Sequence, residues 1–353
     1  MHFHGSYLPT DVEFLLNVKN HQEISITEKE YLLLNHKIHY SEILTKEMEI
    51  EEEYLSIFYN YHEINKTKIC KHILTIAEYL TKQKNIVLVS LARAGTPYGV
   101  ILKRILTSIF QQPIEHYSIS IIKDRGLDTL AINHIIQKHG KDVQLNFIDG
   151  WTGFGNIANE LRRSMSEGFS EISFKFITIS DIAGVADICG SREDYMIPSC
   201  LLNATISGLI SRTLINIDRT NFHSVKYFSE KQDQDYSLWY IDQLEKEVHL
   251  IKKNTLIQDV FIKNRQYRNQ YLQTIQEVIS NYKLNESYTI KPGLGETIRC
   301  LIRRNPVFII IKNPYDSQIK PILYLCKKKN IPISIMKTME MKCIGVIKKK
   351  IYD

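Results

Sequence analysis

The stretch Asn146-Phe147-Ile148-Asp149-Gly150-Trp151-Thr152-Gly153-Phe154-Gly155-Asn156 holds the residue types with which a protein grips phosphate. An apolar run over residues 143–148 ends in the carboxylate of Asp149, a Thr/Gly-rich turn follows, and residues 157–165 have helical spacing. Glycines let backbone N–H groups approach an anion, and a helix N-terminus adds partial positive charge. The spacing is neither that of the P-loop nor that of the dinucleotide fingerprint. A second strand–loop–helix unit places Leu91-Ala92-Arg93-Ala94-Gly95-Thr96-Pro97 between the apolar run 85–90 and a helix over 98–110. Ligands bind at the carboxyl edge of parallel strands, so Arg93 is a candidate anion contact there. Two further strand ends carry charge. Residues 116–122 run into Lys123-Asp124-Arg125-Gly126, and residues 173–180 end in Asp181-Ile182-Ala183-Gly184.

Strands alternating with helices of roughly 10–15 residues predict an α/β fold built on a parallel sheet. Residues 1–80 read as mostly helical: a short capped helix over 12–18, a helix opening at Thr27-Glu28-Lys29-Glu30, and another over 67–82. The acidic run 47–53 reads as a solvated face with no chemistry assigned. Residues 191–213, rich in Ser, Asn, Thr and Arg among small apolar residues, are expected to form a hood over the ligand, because buried polar groups need partners. Ser207, Ser211 and Arg212 are its candidate contacts. Residues 226–248 close the first domain, and 251–282 read as a connecting helix. The tail has an αβαβ order: a helix from Gly293 through Arg304, strand 306–311, helix 319–329, and strands 331–335 and 344–347.

The chain of 353 residues is long enough for two domains, and 44% hydrophobic with 24% charged residues is the composition of a globular protein. No apolar run approaches the roughly 20 residues that span a bilayer, and the N-terminus lacks a signal-peptide pattern. The expectation is a cytoplasmic protein without membrane contact. Its six cysteines are scattered without a CxxC pair and read as free thiols. The net charge of +6 divides unevenly: residues 281–353 carry +10 and the preceding 280 carry −4. A basic module on a mildly acidic body points to a polyanionic partner.

Four stretches, in order, carry a resemblance: Ser90-Leu91-Ala92-Arg93-Ala94-Gly95-Thr96-Pro97; His116-Tyr117-Ser118-Ile119-Ser120 with Asp124-Arg125-Gly126; Phe147-Ile148-Asp149-Gly150-Trp151-Thr152-Gly153; and Ser207-Gly208-Leu209-Ile210-Ser211-Arg212-Thr213. Over residues 5–245 the chain resembles the phosphoribosyltransferase-like family of tellurite-resistance and stress gene neighbourhoods, some members of which are labelled cysteine protease StiP. The resemblance implies a type I phosphoribosyltransferase fold that takes 5-phosphoribosyl diphosphate or a related ribose phosphate, with Mg²⁺. It implies diphosphate held by Ala92, Arg93, Ala94, Gly95 and Thr96, and a flap bearing Lys123 and Arg125. Asp149 would hold the ribose hydroxyls or a metal-bound water, and Gly150, Trp151, Thr152, Gly153, Phe154 and Gly155 the 5′-phosphate. Asp181 would face the acceptor. The usual loop has two adjacent acids, where this chain has Gly150 second, and is about one residue longer.

The tail resembles the Pelota-type RNA-binding domain through Gly293-x-x-Glu296-Thr297-x-Arg299, the following strand, and Leu325-Cys326-Lys327-Lys328-Lys329-Asn330-Ile331-Pro332. That implies RNA contacts by Gly293, Glu296, Arg299 and Arg303 at a helix N-terminus. Related proteins carry Asn at the position of Gly295. The division expected is a phosphoribosyltransferase-like domain over 1–245, a helical linker over 246–283 and an RNA-binding domain over 284–353, with a homodimer compatible. Two other functions stand beside ribosyl transfer: a non-catalytic regulator that senses a ribose phosphate, and a cysteine protease using Cys189 or Cys200 with His223. No papain-like or caspase-like signature surrounds either cysteine.

Overall fold

A computed structural model of the chain describes residues 2–35, 38–216, 220–252 and 259–348. The N-terminal part holds strands β1 (Glu13–Phe14), β2 (Asn17–Val18) and β3 (Glu23–Ile24), helix α1 (Ile26–Asn35), strand β4 (Leu44–Thr45) and helix α2 (Glu52–Thr81). There follow β5 (Ile86–Leu91), α3 (Thr96–Ser108), β6 (His116–Ile119), the hairpin β7 (Ile121–Ile122) and β8 (Gly126–Leu127), and α4 (Thr129–His139). Next come β9 (Gln144–Thr152), α5 (Asn156–Gly168), β10 (Phe174–Asp181), β11 (Ile188–Ser191), β12 (Ser224–Val225) and α6 (Ser237–Lys252). The chain ends with β13 (Phe261–Ile262), α7 (Arg265–Asn281), β14 (Tyr288–Pro292), α8 (Leu294–Arg303), β15 (Phe308–Ile311), α9 (Lys320–Lys329), β16 (Ile333–Ile335) and β17 (Cys343–Lys348).

The main sheet runs β1-β6-β5-β9-β10-β11-β13, and every pair is parallel except β11 with β13. All six residues of β5 are buried, as a strand covered on both faces requires. One core cluster gathers side chains of α2, α3 and α6, and the other those of α4, α5 and α7. After β5 the chain goes to β6 on one side, then crosses to β9 on the other. The β5/β9 crevice is therefore the topological switch point, where open α/β sheets take ligands.

Several expectations change. Residues 12–18 hold the two short strands β1 and β2, not a helix. Val12, Phe14 and Leu16 enter one core and Leu15 the other, a two-residue period set by pairing with β6. Much of residues 1–50 is irregular or extended rather than helical, and the last N-terminal helix is longer than expected, 30 residues or about 45 Å. Strand β9 continues to Thr152, so half of the expected turn is ladder, paired with β10 as far as Thr152 with Asp181. The connecting helix begins only at Arg265, and residues 253–258 lie outside the described ones.

The tail adds an unforeseen strand, β14, to make a four-stranded sheet in the order β14-β17-β15-β16. This sheet shares cores with the main body, since Leu294, Ile298 and Leu325 pack in one cluster and Ile290, Ile310 and Ile344 in the other. Helix α8 has no capping side chain of its own at Gly293. Asp194 caps it from the main body: its Oδ1 accepts from Leu294 N at 2.9 Å and its Oδ2 from Lys342 N at 2.8 Å. Asp194→Ala leaves two buried amides without partners and is expected to cost about 1–3 kcal/mol. Hydrogen exchange checks this: the Leu294 and Lys342 amides should lose protection while those of Ile148 and Ile177 keep theirs.

Candidate functional site

Beside the turn after β5 and the β7–β8 hairpin, a cleft of about 170 Å³ is lined by Lys29, Lys46, Arg93, Arg212, Arg299 and Arg303 against the single carboxylate of Glu47. That volume is many times what one water needs. Arg93 comes from the turn after β5, and the Ala92–Arg93 peptide is cis. Its side chain is 6% exposed; Nη1 donates to Ile210 O at 2.9 Å and Nη2 to Glu47 Oε1 at 2.7 Å. Arg212 donates to Ile43 O and lies over the Tyr40 ring, 5.2 Å from its centroid. Arg299 stands 4.7 Å from the Trp151 centroid, and Arg303 Nε donates to Asn203 Oδ1 at 2.8 Å. Lys29, 4% exposed, donates to Arg303 O at 3.2 Å.

The electrostatics of this group are those of cations taken out of water beside one another. Buried Nε atoms of Arg93, Arg212 and Arg299 have no hydrogen-bond partner. Burial, then Arg212 and Arg304, holds Lys29 down to about 7. Burial lowers Arg212 to about 10 and depresses Arg299 and Arg303 as well, with neighbouring arginines acting the same way. Buried cations with unused donors are costly, and an anion carrying several acceptor oxygens would satisfy those donors together.

The residues expected around 5-phosphoribosyl diphosphate divide between cleft and scaffold. Ala92 and Arg93 reach the cleft. Gly95 and Thr96 do not line it: a Cβ at Gly95 would meet Ile148 O at 2.0 Å, and Thr96 Oγ1 is 2.8 Å from Ser118 Oγ. The loop is pressed on β9 and its polar groups are spent on neighbouring strands. Ala94 is half-buried, and its carbonyl faces Gly150. A Cβ at Gly150 would meet the Tyr98 ring at 2.9 Å, which gives a steric reason for the missing second acid. Lys123 and Arg125 are exposed at the tip of the β7–β8 hairpin, whose Ile121 and Ile122 line the cleft. Arg125 is 3.9 Å from Glu42, and Tyr40 Oη accepts from Lys123 N.

Other expected contacts are turned elsewhere. Asp181, 1% exposed, accepts from Ala183 N at 3.1 Å and Ala186 N at 2.7 Å. It closes its own turn rather than facing an acceptor, because a short carboxylate after a strand satisfies nearby amides. Ser207 donates to Asn203 O and Ser211 to Arg212 O, so of these three candidate contacts Arg212 alone lines the cleft, beside Asn203 and Thr213 of the same stretch. The loop Gly153-Phe154-Gly155 is covered. A Cβ at Gly153 would meet Pro292 O at 2.1 Å, Tyr271 Oη donates to Gly153 O, and Arg268 Nη2 donates to Phe154 O at 3.1 Å. About 20 Å³ remains beside Trp151, Thr152 and Gly153, room for one water and not for a phosphate.

The cover is the tail together with α7. Gly293, Glu296, Arg299 and Arg303 do sit on the first turns of α8 and beyond, yet that face meets the body instead of an open surface. Gly293 packs on Ile182, and a Cβ at Gly295 would lie 2.4 Å from Trp151 Nε1, so glycine is the residue that lets this helix approach Trp151. Glu296 is 3.7 Å from Lys291. Beneath Arg299, Asp149 accepts from Gly150 N at 2.8 Å, and burial pushes its carboxyl up to about 7 against the pull of Arg299. One carboxylate facing arginines is not the donor set of a protein-held Mg²⁺, and no cluster of three metal-ligating side chains occurs among the described residues.

Lys29, Lys46 and Glu47 were not singled out by motif. Glu47 looks like its acidic neighbours, and only its packing against Arg93 and the amide of Ala204 separates it from them. Helical spacing places Lys29 on α1, but nothing local says what that face meets.

The thiols are sealed. All six cysteines are buried. Burial raises Cys189, Cys300 and Cys326 to about 12, and Cys70, Cys200 and Cys343 further. Cys200 donates to Met196 Sδ, and His223 Nδ1 is 2.8 Å from Ser120 Oγ. Among the described residues no histidine is hydrogen-bonded to a cysteine.

Fold and cleft thus define an α/β protein with a cation-lined crevice at the edge of a parallel sheet, closed by a second α/β module. Residues 5–245 match the family described as tellurite-like stress resistance cysteine protease StiP, and the chain belongs to it. Residues 269–349 match the Pelota RNA-binding domain. A protein of Acinetobacter baylyi named Cysteine protease StiP is 30% identical over 353 residues, 95% of this chain and 91% of that one. No described helix is long and apolar enough to cross a membrane.

Two outcomes follow from the cleft and the thiols. Sulfate, which does not titrate near neutrality, should bind several-fold more weakly as pH rises from about 6 to about 9. Lys29 loses its proton above about 7 among Arg212, Arg303, Arg304 and Glu30, and Asp149 becomes anionic beside Arg299 in the same window. Calorimetry at several pH values reads this, and Lys29→Arg should flatten the slope. Ellman's reagent added to the native protein should label none of the cysteines rapidly, and all of them after unfolding.

Proposed function

We propose that the chain is a phosphoribosyltransferase-like enzyme that binds 5-phosphoribosyl diphosphate or a related ribose phosphate in the cation-lined cleft. The observation that supports this reading is the cluster of cations around one cavity, with three guanidinium Nε atoms lacking partners. Ribosyl transfer breaks the bond between the anomeric carbon and diphosphate, which leaves with the electron pair. The acceptor's lone pair forms the new bond and its proton passes to solvent. Fixed positive groups aimed at the leaving oxygens are the main catalytic device such a step needs. Arg93, Arg212 and Arg299 supply them, and Asp149, beneath Arg299, is the residue proposed for the ribose hydroxyls. The match to an RNA-binding domain supports RNA as the partner of the tail, and membership of a stress-resistance family supports a role in stress resistance.

The family's descriptive name speaks of proteolysis. A cysteine nucleophile needs an accessible, activated thiolate and a base, and the buried, unactivated thiols give that reading no support here. The stronger rival is a ribose-phosphate sensor without turnover.

Calorimetric titration with 5-phosphoribosyl diphosphate, in parallel with an assay for released diphosphate, separates these. Arg93→Ala should weaken binding about tenfold or more, the worth of a charged hydrogen bond, with its fold checked by thermal melting. Binding with diphosphate release makes the protein an enzyme. Binding without release, whatever acceptor is supplied, makes it a sensor. No binding at all overturns the ribose-phosphate reading.

A further inference from the structure

The face of α8 that carries the RNA-domain pattern is occupied by the protein's own body. Trp151 fills the space over Gly295, Ile182 that over Gly293, and Asp194 caps the helix from the main sheet. Arg304 is paired with Glu30, and Lys328 with Glu51. Docking brings Arg299 and Arg303 to a cleft that already holds Lys29, Arg93 and Arg212. Like charges concentrated this way oppose docking, and an anion among them favours it.

We infer that the anion site is composite: Arg299 and Arg303, carried by the RNA-binding-type module, are ligand-contacting groups of the cleft, and a diphosphate in the cleft and an RNA on α8 are alternative occupants of one helix face. Three observations support this. Arg299 is held over Trp151 with its buried Nε unpartnered, so its position is set while its hydrogen-bonding capacity is not used up. Arg93, nine-tenths buried on the opposite wall, has an unpartnered Nε of its own. The third is that Gly293 and Gly295 leave no gap for a nucleotide between α8 and the body. RNA reaches this face only when the module swings off the body, and a diphosphate that bridges both walls holds it down. The coupling is thermodynamic linkage: each ligand shifts the docking equilibrium by its preference for one state. The inference rests on the cleft taking a diphosphate, and not on ribosyl chemistry.

The experiment uses the full chain and two probes: inorganic diphosphate, and a fluorescein-labelled RNA hairpin with an asymmetric internal loop followed by anisotropy at constant ionic strength. Saturating diphosphate should weaken RNA binding by about tenfold or more. Arg93→Ala, a change in the body that leaves α8 intact, should abolish that antagonism. Gly295→Asn, which drives a side chain into Trp151, should raise RNA affinity, and Arg299→Gln should weaken diphosphate binding. Equal antagonism in the wild type and Arg93→Ala would mean direct competition for an RNA surface elsewhere and overturns the inference. Simultaneous binding of both probes overturns it, as does failure of all these chains to bind RNA. Calorimetry with diphosphate alone keeps the two readings apart. A cleft that ignores diphosphate sinks this inference together with the preceding one. Diphosphate binding without an effect on RNA sinks this one only.

Discussion

The stacking of the Arg299 guanidinium on Trp151 joins the two halves of the molecule at the end of β9. A desolvated cation over an indole contributes up to about 2 kcal/mol, and here it acts against the repulsion of neighbouring arginines. Its geometry depends on Gly295, since any side chain there would displace the ring. Once α8 is seated, much else is decided. The glycine loop after β9 is roofed by Pro292 and Glu296, Asp149 is half-buried with a cation above it, and the open volume moves to the Arg93 side.

The sheet supplies the other wall for a reason that is independent of the tail. The turn after β5 is pressed against β9, and the open volume lies on its other side, toward the β7–β8 hairpin. The backbone groups at these strand ends must still find partners, and most of the polar side chains nearby serve that need. Asp181 holds the turn that follows it, Ser207 and Ser211 bond carbonyls of the hood, and Thr96 bonds Ser118. Long cationic side chains can both reach a backbone carbonyl and leave a nitrogen over. Arg93 does this, anchored by Ile210 and Glu47 and open at Nε.

The composition of the tail acquires a different meaning in this light. Its excess of positive charge suggested an exposed polyanion surface. Part of that charge instead faces inward: Arg299 and Arg303 line the cleft, while Arg304 and Lys328 pair with glutamates of the N-terminal segment. A match to an RNA-binding domain and a closed cleft therefore concern one and the same helix.

Apolar runs at β5 and β9 and the helices between them were enough, by themselves, to determine a parallel α/β sheet, and the turn after β5 marked Arg93 as its charged strand-end residue. These are local patterns, carried by residues a few positions apart. Periodicity also placed α8 and the strands that follow it. Residues 12–18 escaped that reading because pairing with β6, and not local propensity, makes them extended. Tertiary structure alone decided that Lys29, Glu47, Arg212 and Arg303 meet around one cavity, and that Gly150 faces Tyr98 and Gly295 faces Trp151. The physical reason is range. Periodicity and turn chemistry act within a helix or a strand. The crowding of charges, and the room a glycine leaves, are set by packing between segments far apart in the chain.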